Sequence, residues 1–498
     1  MKKTLAVLLV CVMLLALLCG CNPAVGDTSD ASYEASGGES DFVYADSFFD
    51  GQSVVFYCSE YASSPYNVVQ FSYDEENAGN VVNDAVLERN NRIEQDLGIK
   101  IVAKVLDGNN YGRTTDDLGT LVLGDSVDFD VVCESVDRML AIAAEGIFQP
   151  LNELIDITNP WWDTEAIESI SIANKVYFVM GDAILSDGDH SYLTLYNKNL
   201  YAENGTLTDM GNIYDIVRDG KFTFDTFYTM SKAVAQPDTD GGWSFNSTYG
   251  CCASTAVATV LLNGAGMALA EKTADGGVIF TIDGESEMRC FDEIYDILME
   301  QGTTVLAHNC IGMPGASVSS KYGFGELGEI FSNGNALFYI TTCSTITNLK
   351  TSTQERDFDF GVVPIPKYTE DQEYYYSQIN MYHSTVMGIP ISNTENLEAT
   401  KVAMEALGYY NKDVINAYYV TTLQLQAVDE DDDAEMLDLI FSHLYYDIGT
   451  IYNWGGIGDV YANCMYTSSK TLTSRWAAIE SAAQAALNED LELFADED

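Results

Sequence analysis

The chain has 498 residues, of which 47% are apolar and 11% aromatic, and this composition excludes a disordered protein. It has 76 acidic residues and only 23 basic residues, which gives a formal net charge of −53. Nucleic-acid binding depends on clustered cations, so this charge excludes a nucleic-acid role and disfavours a broad contact with anionic lipid.

The N-terminus has the pattern of a bacterial lipoprotein signal. Two lysines follow Met1, and residues 5–18 form an apolar run shorter than the roughly 20 residues of a spanning helix. Leu18-Cys19-Gly20-Cys21 resembles the lipobox, in which the last cysteine receives a lipid before cleavage. A retained spanning helix is disfavoured, because no basic cluster follows the run. We therefore predict that residues 1–20 are a signal peptide and that lipidated Cys21 holds the chain at the extracellular face of the cytoplasmic membrane.

The next segment, 21–46, combines Ser, Gly and acidic residues without apolar periodicity and is predicted to be a flexible tether. The folded part then contains eight further cysteines, which are sparse for a disulfide framework and have no zinc-ligand spacing. We interpret them as buried, reduced, small apolar residues. They are Cys58, Cys133, Cys251, Cys252, Cys290, Cys310, Cys343 and Cys464.

The first part of the body alternates strands with helices. We predict strands at 53–58, 99–105 and 129–133, and helices at 85–97, 117–123 and 136–145. Apolar runs of strand length followed by helical periodicity indicate parallel β-α-β units and an α/β fold. Ligands of such folds bind beyond the carboxyl ends of the strands, so a cleft between two α/β lobes is the expected site.

The alternation starts again in the region 150–375, which is large enough to be a second domain. Predicted strands lie at 175–180, 193–196 and 336–340, and predicted helices at 224–235, 253–262, 288–301 and 324–332. Further along we predict a strand at 383–389, helices at 395–411, 435–441 and 473–487, and a solvated loop for the acidic run 429–433.

Signatures of enzymes and metal sites are scarce. The four histidines have no zinc-ligand spacing, and neither a nucleophile elbow nor a Walker A loop occurs. Residues 323–328 match G-x-G-x-x-G, but we interpret them as a loop that leads into a helix. Asp187-Gly-Asp189 and Asp238-Thr-Asp240 lack the other ligands of a calcium loop and are read as turns. No cofactor or metal is predicted, although 76 carboxylates leave a glycoside hydrolase possible.

Several short motifs follow one another along the chain. They are Asn159-Pro-Trp-Trp-Asp163, Tyr196-Asn-Lys-Asn-Leu200, Gly220-Lys-Phe-Thr223, Phe331-x-x-Gly-x-Ala-Leu-Phe338 and Asp359-Phe-Gly-Val-Val-Pro-Ile-Pro-Lys-Tyr368. In this order they resemble the family 1 extracellular solute-binding proteins, the maltose-binding-protein-like receptors of bacterial ABC importers. One departure is Asn174, where the family has Gly before Lys.

The resemblance implies a two-lobe, periplasmic-binding-protein-like fold (type II) with a ligand cleft between the lobes. By analogy the first lobe comprises 47–160 and 376–445, and the second 161–375 and 446–498. The implied function is capture of a small-molecule solute, a carbohydrate, by a non-enzymatic monomer that delivers it to ABC permease subunits. Two alternatives stay open: a secreted carbohydrate-active enzyme, and a peptide- or signal-binding lipoprotein on the same scaffold.

Sugar sites stack aromatic rings against C–H faces and surround the hydroxyls with carboxylates and amides. Trp454, in a loop before two glycines, is the foremost candidate, because a loop tryptophan without a helix packed around it needs a reason. Trp161 and Trp162 are interpreted as packing where the chain first crosses between lobes. The other candidate ligand contacts are Tyr61, Asp182, Trp243, Tyr249, Tyr382 and His383.

Overall fold

The computed structural model describes residues 42–60, 66–106, 112–124, 127–238, 240–351, 358–419 and 431–495. They all belong to a single compact unit. The predicted signal peptide, Cys21 and Tyr61 lie outside the described residues. In the described part, no helix is both long and apolar enough to cross a membrane.

The strands of the described part are short and mostly buried. They are β1 (Gln52–Ser59), β2 (Ile99–Leu106), β3 (Val131–Ser135), β4 (Tyr192–Asn197), β5 (Tyr249–Ala253), β6 (Ala270–Lys272), β7 (Val278–Phe280), β8 (Thr304–Leu306), β9 (Ala336–Thr342), β10 (Phe360–Val363), β11 (Ser377–Gln378), β12 (Thr385–Gly388) and β13 (Leu444–Tyr445).

Helices separate most of these strands. In the first half they are α1 (Tyr66–Val69), α2 (Val81–Leu97), α3 (Arg113–Asp116), α4 (Leu118–Leu123), α5 (Val136–Leu140), α6 (Thr164–Ile170), α7 (Ser186–Asp189), α8 (Lys198–Glu203), α9 (Gly205–Met210), α10 (Ile213–Arg218), α11 (Phe224–Val234) and α12 (Val257–Gly264). In the second half they are α13 (Glu285–Met299), α14 (Ala307–Cys310), α15 (Phe324–Ser332), α16 (Ser344–Thr351), α17 (Leu397–Tyr409), α18 (Lys412–Asn416), α19 (Asp431–Phe441), α20 (Ile448–Tyr452), α21 (Val460–Tyr466) and α22 (Leu472–Ala495).

Two large sheets organise the chain, and each is the centre of one lobe. The first sheet has the order β12-β3-β1-β2, with β1 parallel to both β2 and β3 and with β12 antiparallel to β3. The second has the order β10-β4-β9-β5-β8, in which β5 is parallel to β8 and β9 while β4 is antiparallel to β9. The predicted α/β class with parallel β-α-β units is confirmed.

The first β-α-β unit shows how local sequence sets the fold. The Asn80 side chain accepts hydrogen bonds from the backbone N–H groups of residues 82 and 83 and so starts α2 one turn earlier than the periodicity predicts. Gly98 ends the helix with a φ of 66°, and a Cβ there would lie 2.7 Å from the backbone nitrogen of Asp50. A glycine is therefore required where α2 turns into β2.

Some segments contact the other lobe from the one to which the sequence assigned them. Trp161 and Trp162 both donate their indole N–H to Glu405 in α17, and Val179 pairs with Met387 in β12, so these parts of segment 161–190 contact α17 and the first sheet. This confirms that the two tryptophans are packing residues. At the N-terminal end, Phe42 is 6% exposed and its ring stacks on Tyr409 at 4.7 Å, so the predicted tether already packs on the body from Phe42 onward.

The acidic run is a second difference. Residues 431–433 form the first turn of α19 rather than a solvated loop, and Asp433 is fully buried. Its carboxylate accepts hydrogen bonds from Lys198 at 2.9 Å, Tyr214 at 2.6 Å and the backbone N–H of Val362 at 2.7 Å. Because Val362 lies in β10, α19 packs on the second sheet, although the sequence assigned 376–445 to the first lobe.

The cysteine interpretation is confirmed, because all eight cysteines of the folded part are buried and carry free thiols. Cys58 and Cys133 are direct neighbours across β1 and β3, and burial raises the pKa of the Cys133 thiol well above its usual value. These thiols act as small apolar residues of the core.

Candidate functional site

The carboxyl ends of the parallel strands define one edge of each large sheet. In the first sheet β1 and β3 end at Ser59 and Ser135, and the antiparallel β12 begins beside them, because Thr385 pairs with Ser135. In the second sheet β9 ends at Thr342, which pairs with Tyr192, the first residue of β4. These two carboxyl edges are where ligands of α/β proteins bind.

The chain passes directly between the two edges. Ser191 bridges to Ile379, and the backbone N–H of Asn380 donates to the carbonyl of His190 at 3.0 Å. The N–H of Cys343, just after β9, donates to the carbonyl of Ser191 at 2.9 Å. Segments 186–191 and 379–384 therefore run side by side and join the first edge to the second; we call them the crossing segments.

A buried carboxylate holds the first edge in place. Glu134 accepts hydrogen bonds from the hydroxyls of Ser59 at 2.5 Å and Thr114 at 2.8 Å, and from the N–H of Ser135 at 2.9 Å. Burial raises the pKa of its carboxyl above the usual value, although these three donors oppose the shift. The cluster fixes the end of β3, where ligand groups would arrive.

Two hydroxyls beside this cluster lack protein partners. The side chains of Ser135 and Ser384 are buried, and their oxygens make no hydrogen bond within the described part of the chain. They lie close together, because the N–H of Val136 donates to the carbonyl of Ser384 at 2.9 Å. Buried hydroxyls without partners are unusual, so this edge retains hydrogen-bonding capacity.

The structure places Tyr382 and His383 on a crossing segment at this edge. Tyr382 is 43% exposed, and burial of its hydroxyl, assisted by the charges of Asp459 and Asp137, raises its pKa to about 12. The ring of His383 lies 5.0 Å from that of His190, and burial lowers the pKa of His383 to about 4. Asp459 follows Trp454 in the short 3-10 helix Trp454–Asp459, so this C-terminal segment also approaches the edge.

Trp454 itself is a core residue in this structure. It is 3% exposed, its ring stacks on Tyr452 at 4.8 Å, and its indole N–H donates to Asp490 of α22 at 2.7 Å. The sequence predicts a loop tryptophan with no helix around it, and that prediction is wrong because α22 packs on Trp454.

Trp243 and Tyr249 lie at the opposite edge of the second sheet. Tyr249 is the first residue of β5 and pairs with Ala336, the first residue of β9. The ring of Trp243 is 5.3 Å from that of Tyr249, so both mark the amino ends of the strands. The structure does not bring them to Tyr382.

Asp182 lies on the first lobe near the start of the crossing. The backbone N–H of Asp182 donates to the carbonyl of Trp161 at 2.8 Å, and the side-chain amide of Asn411 donates to the backbone carbonyl of Asp182. Burial, followed by the charge of Asp163, raises the pKa of Asp182 to about 7. No described contact joins its carboxylate to Tyr382 or His383.

An open groove of about 510 Å³ lies beside the first edge, between α3–α4 and α5. Its lining combines Arg138 with the acids Asp116, Asp117 and Glu145. It is a polar surface groove next to Thr114. Among the described residues, no group of three or more His, Cys, Asp or Glu side chains is arranged to hold a metal ion.

Sequence reasoning missed one feature of the second edge. His308 lies in α14, two residues after the end of β8, and its ring lies 4.9 Å from that of Tyr466, the last residue of α21. Tyr466 is 62% exposed. The two residues are 158 positions apart, so no local motif signals the pair.

No family model matches the chain, and no curated protein sequence matches it either. Solved structures do. An ABC substrate-binding protein, Lmo0181 from Listeria monocytogenes, in complex with cycloalternan, is similar with a TM-score of 0.51 and 12% identity over 90% of this chain and 100% of that one. A cyclo/maltodextrin-binding protein complexed with maltotetraose has a TM-score of 0.52 and 14% identity over 89% and 97%.

A third similar structure is UgpB from Mycobacterium tuberculosis in complex with glycerophosphocholine. Its TM-score is 0.55, with 14% identity over 88% of this chain and 99% of that one. The first two are binding proteins by name, the third is a complex with a small molecule, and each similarity covers 88 to 90% of this chain. The two-lobe, periplasmic-binding-protein-like fold implied by the sequence resemblance is confirmed.

Proposed function

We propose that this protein is the substrate-binding subunit of an ABC importer and that it captures a carbohydrate between its two lobes. The observation that carries the proposal is the pair of crossing segments, which join the carboxyl edges of two separate sheets and place exposed Tyr382 between them. Two lobes joined by such crossings can close over a solute, and closure follows when the ligand contacts the closed form better.

The charge of the chain supports a neutral solute over a phosphorylated one. Phosphate recognition relies on unengaged arginines. Here Arg218 is paired with Asp215 at 2.9 Å and Glu435 at 2.6 Å, and Arg289 with Glu285 at 2.7 Å. An aromatic ring, buried hydroxyls and nearby carboxylates at the first edge instead match the C–H faces and hydroxyls of a sugar.

The remaining parts of the proposal come from the sequence. Lipidated Cys21 would anchor the protein to the extracellular face of the membrane, and the protein would act as a monomer that delivers its solute, chemically unchanged, to permease subunits. Replacing Cys21 with Ser should move the protein from the detergent phase to the aqueous phase. Unchanged partitioning would refute the anchor without affecting the binding proposal.

The direct test is a thermal-shift screen of neutral oligosaccharides, amino acids and glycerophosphocholine. A ligand that binds only the folded protein raises the Tm with its concentration. We expect an oligosaccharide to raise it, and we expect Tyr382→Ala to weaken that ligand while Tyr409→Ala does not. Tyr409 is a matched control, because it is 38% exposed and packs on Phe42, away from both edges.

Two results would contradict the proposal. If no saccharide raises the Tm, the carbohydrate class is wrong. If the protein hydrolyses or otherwise converts the saccharide it binds, the alternative of a secreted carbohydrate-active enzyme is correct.

A further inference from the structure

Cys58 and Cys133 face each other across two strands of the first sheet. Cys58 lies in β1 and Cys133 in β3, and the two residues are direct partners in the parallel ladder. Side chains of partners in neighbouring strands project to the same face of a sheet. Among the described strands, no other two cysteines are ladder partners.

The spacing of these partners suits a disulfide. Neighbouring strands lie about 4.8 Å apart, and a disulfide needs Cα atoms roughly 4.4 to 6.8 Å apart. The two thiols already interact, because a hydrogen bond with Cys58 acts together with burial, the larger cause, to raise the pKa of Cys133. The backbone is therefore already placed for a cross-link between the two sulfur atoms.

The cysteine pair of the second sheet does not have this arrangement. Cys251 and Cys252 are consecutive residues of β5, so their side chains project to opposite faces of the sheet. Their ladder partners in β8 and β9 are not cysteines. The two residues are equally buried and therefore serve as an internal control.

A link between Cys58 and Cys133 would join two strands at the first edge. Ser59 and Glu134 follow the two cysteines directly, and the Ser59 hydroxyl donates to the Glu134 carboxylate at 2.5 Å. Side chains alternate along a strand, so the thiols lie on one face of the sheet and this hydrogen bond on the other. The link would also close a loop of about 75 residues, and a cross-link over a long loop restricts the unfolded chain most.

We propose that Cys58 and Cys133 form a disulfide by exchange with a small-molecule disulfide such as oxidised glutathione. The thiolate of one cysteine attacks a sulfur of the oxidant, which forms a mixed disulfide and releases one glutathione. The thiolate of the other cysteine then attacks the protein sulfur of the mixed disulfide and releases the second glutathione. The two protein thiols lose two electrons and two protons, and the oxidant is reduced to two thiols.

Burial decides when this exchange can occur. Both side chains are shielded from solvent, and burial raises the pKa of the Cys133 thiol, whereas the thiolate is the reactive form. The closed fold therefore exchanges slowly. The pair reacts while the chain folds or when the first lobe opens locally.

The test identifies which cysteines become linked. The reduced full chain is incubated with oxidised glutathione at a urea concentration at which iodoacetamide alone labels Cys58 in a parallel sample. The remaining thiols are then alkylated in full denaturant, and unreduced peptides are analysed by mass spectrometry. We expect the peptides of Cys58 and Cys133 to be linked to each other and Cys251 and Cys252 to be alkylated.

The second readout is thermal stability after the urea is removed. Reducing the oxidised protein with dithiothreitol should lower its Tm by roughly 3 to 5 °C. Cys58→Ala should abolish both the linked peptide and this Tm change. Cys252→Ala is the matched control, because Cys252 is as fully buried as Cys58, and it should retain both.

Three results would overturn the proposal. Glutathione that stays attached to Cys58 or Cys133 would show that the two sulfurs do not meet, and recovery of both cysteines as alkylated thiols would show that they do not exchange. A link at Cys251 or Cys252 as abundant as the expected one would show that the ladder does not select the pair. The inference goes beyond the proposed function and does not depend on it, so none of these results bears on solute capture.

Discussion

The imidazole rings of His190 and His383 lie 5.0 Å apart, one on each crossing segment. Burial lowers the pKa of both side chains, that of His383 to about 4, and the charge of His383 lowers that of His190 further. Two histidines this close, buried where the lobes are joined, make the crossing sensitive to acid.

We expect the two histidines to lower the stability of the protein as the pH falls from about 6.5 towards 4. In this window the unfolded chain binds protons at both histidines and the folded protein does not, so unfolding is favoured as acid is added. His383→Gln should reduce the loss by up to about 3 kcal/mol, given roughly 1.4 kcal/mol per pKa unit. Urea unfolding at pH 7, 6, 5 and 4.5 measures this, and equal losses in both proteins would contradict it.

A neighbouring carboxyl, Asp189, has the opposite effect on stability over the same pH range. Asp189 is 2% exposed, accepts a hydrogen bond from Tyr418 at 3.0 Å, and has its pKa raised by burial to about 7. Its contribution is present in full below the unfolded value near 4 and declines as the pH rises through 7. Asp189→Asn should therefore flatten the decrease in stability between about pH 4.5 and 7. A variant that shows the same decrease as the original protein would refute this assignment.

Glu405 is expected to be essential for the packing of Trp161 and Trp162. Their indole N–H groups donate to one oxygen of its carboxylate at 2.6 and 3.0 Å. Glu405→Ala leaves two buried donors without an acceptor and should cost about 2 to 4 kcal/mol. Glu398→Ala, on the same helix but with 73% of its side chain exposed, should change the unfolding free energy by less than about 0.5 kcal/mol. Similar costs for the two variants would contradict the role of Glu405.

Asp433 should stabilise the second lobe far more than its neighbours in the acidic run. Asp433→Ala removes the acceptor of three hydrogen bonds, one of them from the Lys198 ammonium, whose side chain is 16% exposed, at an expected cost of about 3 to 5 kcal/mol. Asp431→Ala removes an exposed charge from the same first turn and should cost at most about 1 kcal/mol. Denaturant unfolding compares them directly, and the role of Asp433 is wrong if the two costs match.

Trp454 is expected to affect stability rather than ligand binding. Trp454→Ala leaves a cavity beside Tyr452 and α22, with an expected loss of about 3 to 5 kcal/mol. Trp454→Phe keeps an aromatic ring beside Tyr452 but loses the hydrogen bond to Asp490 and part of the packing, so it should cost about 1 to 3 kcal/mol. Below their melting temperatures, both variants should bind the saccharide within about threefold of the original affinity. A loss of saccharide affinity as large as that caused by Tyr382→Ala would instead assign Trp454 to the binding site.

Local pattern was sufficient for much of the fold. Helical spacing and capping residues predicted α2, α11, α13 and α17 to within a few residues, and β-branched runs predicted β1, β2 and β4. The strand β5 was missed, because Tyr-Gly-Cys-Cys-Ala has little strand character and becomes a strand through its parallel partners β8 and β9. Residues 175–180 were predicted as a strand, but their described ladder contacts are the isolated bridges at Lys175 and Val179.

The site was harder to predict, because its residues are brought together by tertiary contacts. Tyr382 and His383 could be placed from the sequence, since they lie at the start of the strand predicted at 383–389, near a crossing. Trp454 looked exposed because α22, which covers it, follows after an intervening helix. The pairing of His308 with Tyr466 depends on how α21 packs against α12 and α13, which no local pattern encodes.

The buried cysteines of each lobe can be used to measure local unfolding of that lobe. Cys58 and Cys133 lie within the first sheet and Cys251 and Cys252 within the second, all shielded from solvent. An alkylating reagent can reach them only when the surrounding structure unfolds locally. The labelling rate of each cysteine pair therefore measures how often its own lobe unfolds. Mass spectrometry of the labelled peptides would then distinguish a molecule that loosens in one half from a molecule that unfolds as a whole.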